Sequence, residues 1–158
     1  MEWHQVLADP CLRDLPYKIE LNREGEIVMN PASNRHAGLQ FRLGHFLANH
    51  LGGARGVFTE CSVATAEGVR VPDVAWASPA FIARHGDETP FSRAPELCVE
   101  IVSPSNSERS MMAKVALYLA AGALEVWLVR ESGAVTFHGA EGSREGSCFP
   151  GIPRRPEF

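Results

Sequence analysis

The chain has 158 residues with a net charge of −4, 45% hydrophobic and 22% charged residues, values that fit a soluble globular protein able to bury a core without disulfides or metal staples. Acidic balance argues against a broad electrostatic footprint for nucleic acid, although binding depends on a local patch rather than on the sum. No apolar run is long enough to cross a bilayer, the N-terminus carries no signal-peptide pattern, and four cysteines lack metal-site spacing, so a cytoplasmic protein with reduced thiols is expected.

Residues 1–16 are punctuated by Pro10 and Pro16, and a short helix fits residues 4–9. Tyr17–Leu21 and Glu26–Met29 read as two strands around the turn Asn22-Arg23-Glu24-Gly25, an N-terminal β-hairpin by its turn chemistry. Ser33 or Asn34 then caps a helix from Arg35 to about Leu51, in which Leu39, Leu43, Phe46 and Leu47 recur at helical spacing and Gly52-Gly53 ends the run.

Residues 56–65 predict one strand, and Glu67-Gly68 a turn into a second strand, Val69–Trp76. A short helix follows from Ser78-Pro79 to about His85, then a Gly/Asp/Pro-rich loop to residue 95. Leu97–Val102 is apolar except for Glu100, the pattern of a buried central strand. Ser103–Ser107 lead into a helix over 107–121 closed by Gly122, and Leu124–Val129 and Ala134–His138 are the last strands before an irregular tail from Gly139. The order predicts a mixed central sheet flanked by helices, an α/β or α+β domain spanning 1–158 with its core at about 17–138.

Three residues carry the chemistry. Glu100 stands alone among Leu97, Val99, Ile101 and Val102, and a buried unpaired carboxylate costs several kcal/mol; it needs a cation, a proton or an edge position. Asp73 follows Pro72 one strand earlier, and a proline inside a strand marks an edge or bulge that can re-aim a side chain. Lys114, one of only two lysines beside thirteen arginines, shares a helix face with Met111, Leu117 and Tyr118; it is either a snorkelling residue or a cation held beside the carboxylates. Two such carboxylates form a hard oxygen site suited to Mg²⁺, with Mn²⁺ as substitute, which would serve phosphodiester hydrolysis.

The segments VPDVAW (71–76), PELCVEIVSPSNS (95–107), Lys114 followed by Tyr118, AGALEVWLV (121–129) and, upstream, IELNREGEIVMNPAS (19–33) with His36 resemble the bacterial restriction-endonuclease family of the Uma-two type, within the PD-(D/E)XK nuclease superfamily. The resemblance implies a restriction-endonuclease-like αβββαβ core, Asp73 and Glu100 as metal ligands, and Lys114 replacing the usual lysine at the position of Val102. It also implies an additional N-terminal acid, Glu20 or Glu60, with His36 and Tyr118 as accessory residues. Arg130 departs from the family pattern, which tends to an aspartate there. The expected function is a Mg²⁺-dependent DNA endonuclease acting as a homodimer, with Arg35, Arg42, Arg84 and Arg109 contacting phosphates. The alternative is an inactive nuclease-fold protein that binds nucleic acid or a protein partner.

Overall fold

The computed structural model describes residues 1–158. After a short helix α1 (Trp3–Ala8), strands β1 (Tyr17–Leu21) and β2 (Ile27–Pro31) pair only with each other as a hairpin. Its turn is built as the sequence predicts: the Asn22 side chain accepts from the Glu26 amide at 2.8 Å, and Gly25 takes φ 76°, the left-handed conformation that glycine tolerates. Helix α2 (Asn34–His50) follows, with Ser33 rather than Asn34 as its N-cap, accepting from the His36 amide.

The region predicted as two long strands, 56–65 and 69–76, is instead four short ones: β3 (Val57–Thr59), β4 (Val63–Thr65), β5 (Gly68–Arg70) and β6 (Val74–Trp76). The outer pieces, β3 and β6, pair in the main sheet, whereas β4 and β5 peel off as a separate hairpin. Two local causes break the strands. Glu60 adopts φ 54°, which turns the chain where a continuing strand would need extended backbone. Opposite it, Pro72 has no N–H to donate to a ladder. Asp73 therefore lies immediately before β6, not within a strand.

Helix α3 (Pro79–His85), β7 (Leu97–Val102), α4 (Glu108–Ala120), β8 (Glu125–Arg130), β9 (Val135–Gly139) and β10 (Gly142–Arg144) complete the chain. The main sheet has the order β10-β9-β8-β7-β6-β3, antiparallel except for the parallel pair β7–β8. A parallel pair needs a crossover, and α4 supplies it. The succession α2, β3, β6, β7, α4, β8 is the αβββαβ core anticipated from sequence, a mixed sheet with helices on both faces.

Alternation along β7 divides the core. Leu97, Val99 and Ile101 pack with Leu39, Leu43, Phe46 and Leu47 of α2; Cys98 packs on the other face with Met111, Val115 and Tyr118 of α4. Glu100, two residues from Cys98, shares that α4 face. A small third cluster of Val6, Leu21 and Val69 seats the two outlying hairpins and α1 against one another.

The tail from Gly139, irregular by sequence, is part of the core. Phe149 and Ile152 are buried under α2, and the Phe149 ring meets Trp76 edge-on at 5.5 Å. The tie is Glu125, fully buried at the start of β8. Its carboxylate accepts from Trp127 Nε1 (2.6 Å), Arg144 (2.8 Å), the Ser147 hydroxyl (2.6 Å) and the Cys148 amide (2.8 Å). Burial pushes its pKa up, but these donors together outweigh burial and leave it below the ordinary value.

Because the folded value is the lower one, Glu125 contributes stability that is complete above the unfolded glutamate range, about pH 4.3, and is lost as pH falls through the folded value. Glu125→Ala strands four donors, and should cost about 3 kcal/mol in urea unfolding at pH 7. It should also expose residues 145–158 to limited proteolysis. The loss should shrink as pH is lowered below about 4; a cost that stays constant across that range would exclude the charged-acceptor role.

Candidate active site

The register of β6 on β7, Val74 opposite Val99, sets Asp73 beside Glu100 at the end of the paired segment. Both are buried, with 1% and 2% of their surface exposed. They line one cleft of about 250 Å³ together with Lys18, Glu20, His36, Glu60 and Lys114. A larger groove of about 670 Å³ lies between α4 and β8–β10, but its one carboxylate, Glu108, is exposed and no buried acid faces it.

Asp73 is held by five partners. Its Oδ2 accepts the Ile101 amide at 2.7 Å, tying it to β7. Its Oδ1 meets Lys18 Nζ at 2.6 Å and His36 Nε2 at 3.2 Å. Its backbone carbonyl accepts from the Gln40 side chain at 2.9 Å and the Glu60 amide at 3.3 Å. Burial alone would raise its pKa; the His36 contact and the Lys18 charge overcome that and bring it down to about 2. His36, at the first turn of α2, is raised in return, by its contact with Asp73 against the opposing effect of burial.

Glu100 is placed differently. One oxygen, Oε1, accepts from Tyr118 (2.7 Å) and Lys114 (3.1 Å), residues four apart on α4 and therefore stacked on one face. The other, Oε2, lies 3.4 Å from Lys18 Nζ. Its pKa is raised: complete burial dominates, with the like charges of Asp73 and Glu20 adding to it against the two lysines. Burial likewise pushes the Tyr118 hydroxyl well up, so it stays a neutral donor. The two acids are thus driven apart, Asp73 firmly ionised and Glu100 the more basic, a separation typical of sites that handle protons.

Of the two N-terminal acids left open by the sequence, Glu20 joins directly. It is buried, accepts the Val71 amide at 2.9 Å and pairs with Lys114 Nζ at 2.9 Å. Glu60 remains exposed at the rim, within 3.3 Å of Gln40. Lys114 is not a snorkelling residue, since its ammonium bridges Glu20 and Glu100. None of the four arginines expected at the rim lines this cleft. Arg35 pairs with Glu131 at 3.6 Å, Arg42 and Arg84 line other depressions, and Arg109 is exposed on α4 outside the cleft lining. Away from Glu60, the rim carries neutral side chains instead, Ser103, Ser105, Asn106 and Ser110.

Two residues that sequence reasoning passed over complete the site. Lys18 is the only side chain that touches both Asp73 and Glu100; strand period 2 puts it on the same face as Glu20, which is a partial cue and does not say where that face lies. Gln40, one helical turn after His36, fixes the Asp73 backbone, and its i+4 spacing from His36 was the cue. As donors, the Asp73 and Glu100 oxygens suit a hard divalent ion. They already converge on one cation, the Lys18 ammonium, so they fit such an ion provided that the ammonium leaves. As arranged, no group of three or more His, Cys, Asp or Glu side chains encircles a metal position.

Comparison with known proteins bears on the family and the fold. No curated protein matches the chain. Among solved structures, a crystal structure described as "a putative nuclease belonging to DUF820" from Anabaena variabilis superposes with a TM-score of 0.71 at 19% identity. The match covers 97% of this chain and 89% of that one, and establishes likeness of fold. The family model described as "Uma2: Putative restriction endonuclease" matches residues 6–146, a span that takes in the hairpin, both site strands and α4. The chain belongs to the Uma2 family.

Proposed function

We propose that this chain is a metal-dependent endonuclease that hydrolyses phosphodiester bonds of DNA. The observation that carries the reading is the convergence of two buried carboxylates, Asp73 and Glu100, on a single cation at the floor of an open cleft, with a second ammonium group beside them. Family membership supports the same class of chemistry. Asp73 and Glu100 would hold Mg²⁺, or Mn²⁺ in its place, an ion that when bound polarises a phosphoryl oxygen and acidifies a water.

The chain's own groups then have separable tasks. The Ile101 amide, Gln40 and His36 hold Asp73 in one orientation, while Tyr118 holds Glu100. Such fixed partners keep ligand oxygens from reorganising during reaction. Lys114, with 20% of its side chain exposed, is the cation through which the protein would stabilise charge building on the phosphate. Neutral donors at the rim, Ser103, Ser105, Asn106 and Ser110, suit phosphate oxygens without fixing a base sequence. A homodimer in the cytoplasm, presenting two such clefts to the two strands, fits this reading.

A second reading, a nuclease-fold protein that binds nucleic acid or a partner without cutting, draws on the filled position between the carboxylates: the Lys18 ammonium already bridges them. Two variants separate the readings. Asp73→Asn should abolish Mn²⁺ binding by calorimetry and plasmid nicking together. Lys114→Met removes a partner from Glu20 and Glu100 and should cost about 2 kcal/mol of stability. Per folded molecule it should retain metal binding while nicking falls on the order of 10²-fold. Wild-type protein that binds Mn²⁺ yet nicks no faster than Asp73→Asn would leave the non-cutting reading in place.

A further inference from the structure

Lys18 stands apart from the other cation of the site. Lys114 bridges Glu20 and Glu100 and does not reach Asp73, whereas the Lys18 ammonium lies against one oxygen of each proposed metal ligand, Asp73 Oδ1 and Glu100 Oε2. A divalent ion bound to those oxygens would share them with a positive nitrogen, and like charges at such separations in a buried setting repel strongly. Lys18 and Glu20 also have a different carrier from Asp73, Glu100 and Lys114. Asp73, Glu100 and Lys114 sit on the main sheet or on the helix that crosses it; β1 pairs only with β2. That hairpin is seated through the smallest of the three apolar clusters. The lysine stem has four rotatable bonds, and the cleft it lines continues past Val28, Asn30 and Pro31 of β2.

We infer that the Lys18 ammonium and the divalent cation compete for the same two carboxylate oxygens, and that metal binding turns Lys18 outward into the cleft, where it becomes a substrate phosphate contact. This rests on the metal-dependent reading above and adds to it a built-in occupant. Metal-free protein keeps its buried acids compensated, and the cleft gains a basic side chain only once metal is loaded. That exchange would also account for a cleft that has no arginine along it yet belongs to a chain read as acting on a polyanion.

The test uses Mn²⁺ as probe, with the full chain as wild type, Lys18→Met and Asp73→Asn. Calorimetry should show Lys18→Met binding Mn²⁺ roughly tenfold tighter or more than wild type, since the competing charge is gone. Because the chain has only two lysines, Lys18 and Lys114, an amine-acylating reagent read by mass spectrometry reports each one separately. Lys18 should be acylated slowly in metal-free wild type and several-fold faster with Mn²⁺, and Asp73→Asn should remove that acceleration. Should Lys18→Met fail to fold, the wild-type acylation pattern decides by itself. Mn²⁺ binding with unchanged affinity in Lys18→Met and an unchanged Lys18 acylation rate would overturn the competition while leaving the metal site standing. Absence of Mn²⁺ binding in both wild type and Lys18→Met would remove the metal-dependent reading and this inference with it.

Discussion

A glutamate at the centre of an apolar strand sets the terms for much of this structure. Glu100 lies in β7 with buried neighbours on every side, and an uncompensated charge there would cost several kcal/mol. Its compensation arrives from distant parts of the chain: Tyr118 and Lys114 from α4, Lys18 from the N-terminal hairpin. Each of these in turn has to be positioned. The crossover helix must lie over β7 with one face turned to Glu100, and the hairpin must fold across the end of the sheet although it contributes nothing to the sheet itself.

Asp73 is accommodated by the opposite device, a break in regularity. A proline before it and a left-handed Glu60 across from it interrupt two strands at the same level, freeing the Asp73 side chain to meet the Ile101 amide and its carbonyl to meet Gln40. A non-glycine residue in that backbone region is an uncommon expense, and such positions concentrate at functional sites. Regular pairing would have placed one more rung in the ladder and one fewer carboxylate at the cleft.

What was legible in the sequence follows from what local pattern encodes. One acid in an apolar strand, and a lysine four residues before a tyrosine on one helix face, are periodic signals, and Glu100, Lys114 and Tyr118 meet as that periodicity implies. The αβββαβ order was legible for the same reason. The site role of Lys18 was not, because alternation tells that Lys18 and Glu20 share a face but not where an unpaired hairpin will lay that face. The split at Glu60 was hidden because nothing in a glutamate announces positive φ. The tail looked irregular because its order comes from Glu125, whose four donors are gathered only once the fold has formed.

The alternation of Lys18 and Glu20 on β1 has an electrostatic corollary. The hairpin brings one positive and one negative charge to the cleft, side by side, while the sheet and α4 bring Asp73, Glu100 and Lys114. The hairpin's contribution is thus a dipole rather than a net charge. Its departure or substitution by a different insertion would leave the cleft's overall charge where the sheet and α4 set it. Within one fold, the central framework can keep its paired carboxylates while the flanking hairpin varies in shape, reach and the side chains it presents to the cleft.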